Sequence, residues 1–196
     1  MPSSKDSLSP EMIKILKIFG IGSLLLVFLL SFFNERRANN SGEEASLMRI
    51  TDADRLFFKN IRAPYYDIEG RSDAKMTIYK YGKRFESDLR PVLNLSIIIN
   101  QVKDEAYIYL EFPVEESPIR ILWENKENEK SGELEFHNGD KHAHLEFVEG
   151  LNPLLEENTK FQLWYNNEWV PILEEEKERE ALKTPIADYF RMINYP

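Results

Sequence analysis

The chain contains no cysteine. That excludes a disulfide framework, a cysteine-ligated zinc, a cysteine nucleophile and a lipid-modified cysteine anchor. It leaves the compartment open, because a reduced cytosol and a cysteine-free envelope protein look alike in this respect. Glycine is scarce, at 8 residues in 196, which argues against a glycine-rich phosphate cradle. There is no Gly-x-Ser-x-Gly, no phosphate-binding loop, no His-Glu-x-x-His and no dinucleotide fingerprint. Acids stand side by side at Glu115-Glu116 and Glu156-Glu157. Adjacent acids point to opposite faces of a strand, and no spacing marks a glycosidase pair. The sequence therefore assigns no catalytic residue and implies no cofactor.

What the chain does have is apolar material. Hydrophobic residues make up 42% of it, with 12 Phe, 9 Tyr and 3 Trp. That is enough for one core, and it excludes wholesale disorder. The length suits one domain plus an appendage.

The appendage is at the amino end. Ile18 to Phe33 runs without a charge, and Met12 to Lys17 extends the apolar stretch. As a helix, residues 12–33 span about 33 Å, enough for a hydrocarbon core of about 30 Å. Ser9-Pro10 is a start signal, with Ser as N-cap and Pro at the first helical position. Lys14 and Lys17 can reach outward to one interface. A cleaved signal peptide has a similar basic and apolar profile. However, Asn34-Glu35-Arg36-Arg37 offers no small-x-small cleavage pattern. The expectation is a short tail over 1–11, an uncleaved single-pass anchor over 12–33 with the lipid bilayer as its partner, and a polar flexible linker over 34–47. Lys5, Lys14 and Lys17 before the span nearly balance Arg36, Arg37 and Arg49 after it. The short tail before the span and the large domain after it favour placing that domain outside the cytoplasm.

The domain then occupies 48–196. Thr51-Asp-Ala-Asp54 resembles a capping box and predicts a short helix from Asp52 to Asn60. After it the apolar period changes to two. Strands are expected around 76–81, 93–99, 106–112, 119–123, 134–136, 143–147, 161–165 and 169–173. Turns fall at 102–105, at Asn138-Gly139 and at Asn166-Asn167. This spacing predicts a mainly β domain, an antiparallel β-sandwich. Leu145-Glu-Phe-Val-Glu-Gly-Leu-Asn-Pro153, then Thr159-Lys-Phe-Gln-Leu163, resembles the E-to-F connection of immunoglobulin and fibronectin type III modules. Phe161 stands where the corner tyrosine usually is. The resemblance implies an immunoglobulin/fibronectin III-like fold class and no function. A C-terminal helix is expected over 174–194, restarting at Thr184-Pro185. Its apolar stripe is Ile186, Tyr189, Phe190 and Ile193.

Charge is uneven. Residues 91–196 carry 22 acids against 10 bases, while 48–90 carry 7 against 10. An acidic main domain repels phosphate backbones, so nucleic acid is not an expected partner.

Two side-chain groups stand out as candidate sites. All three histidines lie within 137–144. A two-residue turn at Asn138-Gly139 would put His137, His142, His144, Glu133 and Glu135 on one face of a hairpin over 133–146. Imidazoles opposite carboxylates serve as cross-strand pairs, as a divalent-metal site or as a pH-responsive surface. The second group is aromatic. Trp164 alternates away from Phe161, Leu163 and Tyr165, and Trp169 lies just across the next turn. Together with Tyr189 and Phe190 of the terminal helix they are candidates for partner binding. The competing expectation is that Trp164 and the helix stripe are both used in packing. The functional expectation is a membrane-anchored interaction or accessory module whose partner is another membrane or envelope protein. Its alternative is a metal- or pH-responsive domain, or an envelope enzyme, using the histidine hairpin.

Overall fold

The computed structural model describes residues 9–32, 47–112, 117–125, 127, 129–137, 139–156 and 158–195. Residues 1–8 of the tail, 33–46 with most of the expected linker, Glu115, Glu116, Glu157 and the turn residue Asn138 lie outside the described residues. The chain divides into two units, Met1–Glu43 and Glu44–Pro196.

The first unit contains helix α1, Pro10–Phe32, whose 23 residues make it about 35 Å long. Ser9 begins it, its Oγ accepting the Met12 N–H at 3.2 Å. Over Pro10–Leu30 this helix is long and apolar enough to cross a membrane, and none of its apolar window is buried.

The second unit is mainly β, with two antiparallel four-stranded sheets and accompanying helices. It opens with α2, Asp52–Phe57, where the Thr51 hydroxyl accepts the Asp54 N–H at 3.1 Å. The helix continues as a π-helical turn, Phe58–Arg62, and a tight turn, Ala63–Tyr65. Sheet 1 is a plain meander of β1 (Tyr66–Arg71), β2 (Met76–Tyr81), β3 (Asn94–Asn100) and β4 (Glu105–Glu111). Sheet 2 has β5 (Ile119–Asn125), β6 (Lys130–Phe136), β7 (Thr159–Tyr165) and β8 (Glu168–Ile172), in the order β6-β5-β7-β8. Helix α3, Lys141–Glu156, connects β6 to β7, and helix α4 is Glu176–Met192.

Register explains the core. Leu95, Ile97 and Ile99 of β3 stand opposite Leu110, Ile108 and Ala106 of β4, all buried. Each of the leucines and isoleucines contributes about 1.5–3 kcal/mol of transfer free energy. The π-helical turn places Phe58 on this face, 5.0 Å from the Tyr79 ring and 5.5 Å from Tyr66. Helix α4 completes the cover with Ile186 and Tyr189. Its Asp188 accepts from Arg62 Nε at 2.7 Å and from the Tyr66 hydroxyl at 2.6 Å. One buried carboxylate thus ties the π-helical turn, β1 and α4 together.

Helix α3 buries His144, Leu145, Val148, Leu151 and Leu155 at helical spacing. It packs on β4 of one sheet and β6 of the other, and both are edge strands. The Leu110 N–H of β4 donates to His144 Nδ1 at 3.2 Å. Lys141, the first residue of α3, donates to Glu105 Oε2 at 2.7 Å. The other two edges are protected by sequence instead. β1 carries Asp67, Glu69 and Arg71, and β8 carries Pro171, both features that discourage further strand pairing.

Several expectations are corrected here. The 133–146 hairpin does not exist, because its second strand is the first third of α3. The immunoglobulin-type connection is absent for the same reason, since residues 145–153 lie inside that helix. Each sheet is also contiguous in sequence, and neither order, β1-β2-β3-β4 or β6-β5-β7-β8, is that of a Greek key. Thr184-Pro185 does not restart a helix, because α4 runs through Pro185 without a break. Strand β1 was not foreseen in the sequence.

Replacing Leu151, fully buried on α3, with alanine is expected to lower unfolding stability by about 2–5 kcal/mol. Urea denaturation of the full chain, followed by near-ultraviolet circular dichroism, measures this. A loss below about 0.5 kcal/mol, the range of ordinary surface changes, would mean that α3 does not wedge the two sheets.

Candidate functional site

Strand alternation divides sheet 2 into two faces. Ile121 pairs with Leu134 and Leu163, and Phe161 with Ile172; these side chains face the core. Gly132 serves this inner face. A Cβ there would stand 2.9 Å from the Trp123 indole, so only glycine lets that ring lie across β6.

The opposite, outer face is built row by row. Trp164 pairs with Trp169 across β7 and β8. Their rings meet edge to face, 5.1 Å between centroids and 62° between planes. The connecting turn is Asn166-Asn167, with φ of 50° and 65°. Both central residues of such a hairpin turn need positive φ, which Asn tolerates. On β5, Arg120 lies 5.4 Å from the Trp169 ring centroid, donates to Glu133 and approaches Glu135 to 3.8 Å. The next row holds Leu122 beside Glu133 and Gln162, with Gln162 opposite Pro171. The face therefore carries a tryptophan pair, an arginine held by two carboxylates, and a polar second row.

An open cleft of about 960 Å³ continues from this face towards the end of the sheet. Its rim includes Leu173, whose backbone is held in the left-handed region at φ 56°. Arg179 fixes that bend by donating to the Leu173 carbonyl at 2.8 Å, and it also donates to the Thr159 carbonyl.

The histidines are separated. His137 is exposed at the end of β6, its Nε2 3.4 Å from Glu135 Oε2. His142 is exposed on the first turn of α3. Its backbone N–H donates to the N-capping Asp140 at 2.9 Å. His144 is turned inward, with only 5% of its surface exposed. Its ring centroid lies 4.1 Å from that of Tyr109 and 4.7 Å from that of Phe136. The imidazole that was to join a metal face instead accepts a sheet-edge N–H. Among the described residues, no group of three or more His, Asp or Glu side chains is placed to hold a metal ion. Glu133 and Glu135 remain on the outer face, committed to Arg120.

The terminal-helix aromatics are also drawn inward. Tyr189 is fully buried and donates to the Ala106 carbonyl at 3.3 Å. Phe190 is half-buried and stacks on Tyr195 at 4.4 Å. Helix α4 packs on β3 and β4, while Trp164 packs on Trp169. Of the sequence candidates, Trp164, Trp169, Glu133 and Glu135 share one surface. Sequence reading missed Arg120, Gln162 and the Arg179 rim. Arg120 alternates with Ile119 and Ile121, and that signal could have placed it on the outside.

Acid–base chemistry does not concentrate at the cleft. Burial pushes the Tyr66 and Tyr189 phenols well up, and Asp188 raises Tyr66 further. Both are core residues and neither lines the cleft. No family model matches the chain, and no curated protein and no solved structure matches it either.

Burial lowers the His144 pKa, while the charge of Asp140 opposes that shift. On acidification the unfolded chain therefore takes up this proton first. The contribution to stability is complete above the ordinary histidine value of about 6.5 and is lost as pH falls through it. The melting temperature is expected to decline from about pH 7.5 to about pH 5.5. In His144→Phe it should start lower and lose that decline. A parent melting temperature that stays flat across this window would contradict the neutral, accepting imidazole.

Proposed function

We propose that this chain is a single-pass membrane-anchored binding module, holding its mainly β unit outside the cytoplasm and using the outer face of sheet 2 to engage a component of the envelope. The carrying observation is the Trp164–Trp169 pair. Two large aromatic rings stand half-buried on a solvent-facing sheet surface, with Arg120 against one of them. Tryptophan and arginine dominate the energetics of binding surfaces.

The anchor reading rests on α1, which is apolar over a length that fits a bilayer. A stretch this apolar is costly to leave in water. The outside orientation is part of the proposal, and the reporter below tests it.

A reporter fused after Pro196, active on one side of the membrane only, tests the placement. Outside activity is expected. Inside activity would overturn the orientation and make the β unit a cytoplasmic module tethered to the membrane. Recovery of the chain in the soluble fraction would overturn the anchor.

A further inference from the structure

We infer that the outer face of sheet 2 is a binding site for a short neutral oligosaccharide, whose pyranose rings stack on Trp164 and Trp169. This rests on the reading of that face as the binding surface and adds the chemistry of its ligand.

Size is the first argument. Four strands at about 4.8 Å spacing and three rows of same-face residues at about 6.8 Å give a face of roughly 400 Å². A stable protein–protein interface needs about 800 Å² from each partner. The face is too small for that, and it matches a ligand of a few sugar rings. The adjoining cleft of about 960 Å³ lies within the range of small-ligand sites, about 300–1,000 Å³.

The edge is the second argument. A peptide that joined the sheet would pair with β8, where Pro171 has no N–H to give. A ligand of this face therefore lies across the strands, on the side chains.

Charge is the third. Glu124, Glu133 and Glu135 share the face with Arg120 and Lys160. Arg120 is already engaged by both Glu133 and Glu135. An anionic polymer would meet more acid than base here. A neutral polyol meets no such repulsion. Its hydroxyls both donate and accept, which suits carboxylates, the Gln162 amide and the Lys160 ammonium alike. Its C–H faces are weakly positive and suit the electron-rich faces of the indoles.

The test uses the full chain in lipid nanodiscs, since glucoside and maltoside detergents would compete. Cellotetraose and the tetramer of N-acetylglucosamine are titrated while indole fluorescence is followed, with a sulfated tetrasaccharide as the charged comparison. A saturable change with at least one neutral probe in the millimolar range or below is expected. Trp169→Ala should weaken it about tenfold or more, in line with loss of an aromatic anchor. Gln162→Ala, which leaves both indoles in place, should weaken it severalfold, with an unchanged melting temperature showing that the sheet is intact. No saturation with either neutral probe, or equal affinity in Trp169→Ala, would overturn the inference. Tighter binding of the sulfated probe would overturn it too. A photoreactive side chain at position 162 separates the two readings. If it crosslinks a protein in cells while the sugars fail, the oligosaccharide is wrong and the binding face stands. If the indole variants change only the melting temperature, both are wrong.

Discussion

Two antiparallel sheets have four open edges, and the architecture depends on how those edges are closed. Helix α3 closes two at once by lying against β4 and β6. The closure is chemical as well as steric. An outward N–H of β4 finds its acceptor in His144, and Lys141 binds the carboxylate at the start of that strand. An unpaired N–H in this position would cost about 1–3 kcal/mol once covered by apolar side chains. The apolar stripe of α3 then fills the space between the sheets. The remaining edges carry charge or proline.

Much of this was legible in the sequence. Strands β2 to β5 and β7 to β8 announce themselves by alternation, and Asn166-Asn167 marks its turn. The failures have specific causes. Ala143, Leu145 and Phe147 fit a period of two, and Asn138-Gly139 favours a hairpin. Leu145 and Phe147 also belong to a helix, and the arbiters are Val148, Leu151 and Leu155 further on. Gly150 and Pro153 inside α3 conceal them, being breakers that tertiary packing overrides. Asp140 is the overlooked start signal, accepting the N–H groups of His142 and Ala143. β1 escaped notice because an exposed edge strand needs few apolar residues.

The candidate surface was half legible for a related reason. Alternation alone puts Trp164 outside, yet only the β5–β6 register shows that Arg120, Glu133 and Glu135 join it. The histidines part with the hairpin, since His137 stays at the end of β6 while His142 and His144 point to different sides of α3. Sheet 1 buries the aliphatic side chains of β3 and β4 and binds both flanking helical segments, the α2 turn and α4. Sheet 2 is freer to present a face. The division lets one half of the unit hold the fold while the other offers the indoles to solvent.

The chain order of these elements also governs how the protein is made. Sheet 1 is a meander of adjacent segments, so it can pair early in folding, with local connections to close. Its main cover arrives last, because α4 follows every strand and returns across the whole length of the unit to β3 and β4. Until then the faces of Ile97 and Ile108 are open to chaperones and to other nascent chains. A ribosome that stalls before Asp188 releases a product whose Arg62 and Tyr66 lack their common carboxylate. Docking of α4 is thus what closes the inner face of sheet 1, and a copy without that helix leaves the face uncovered.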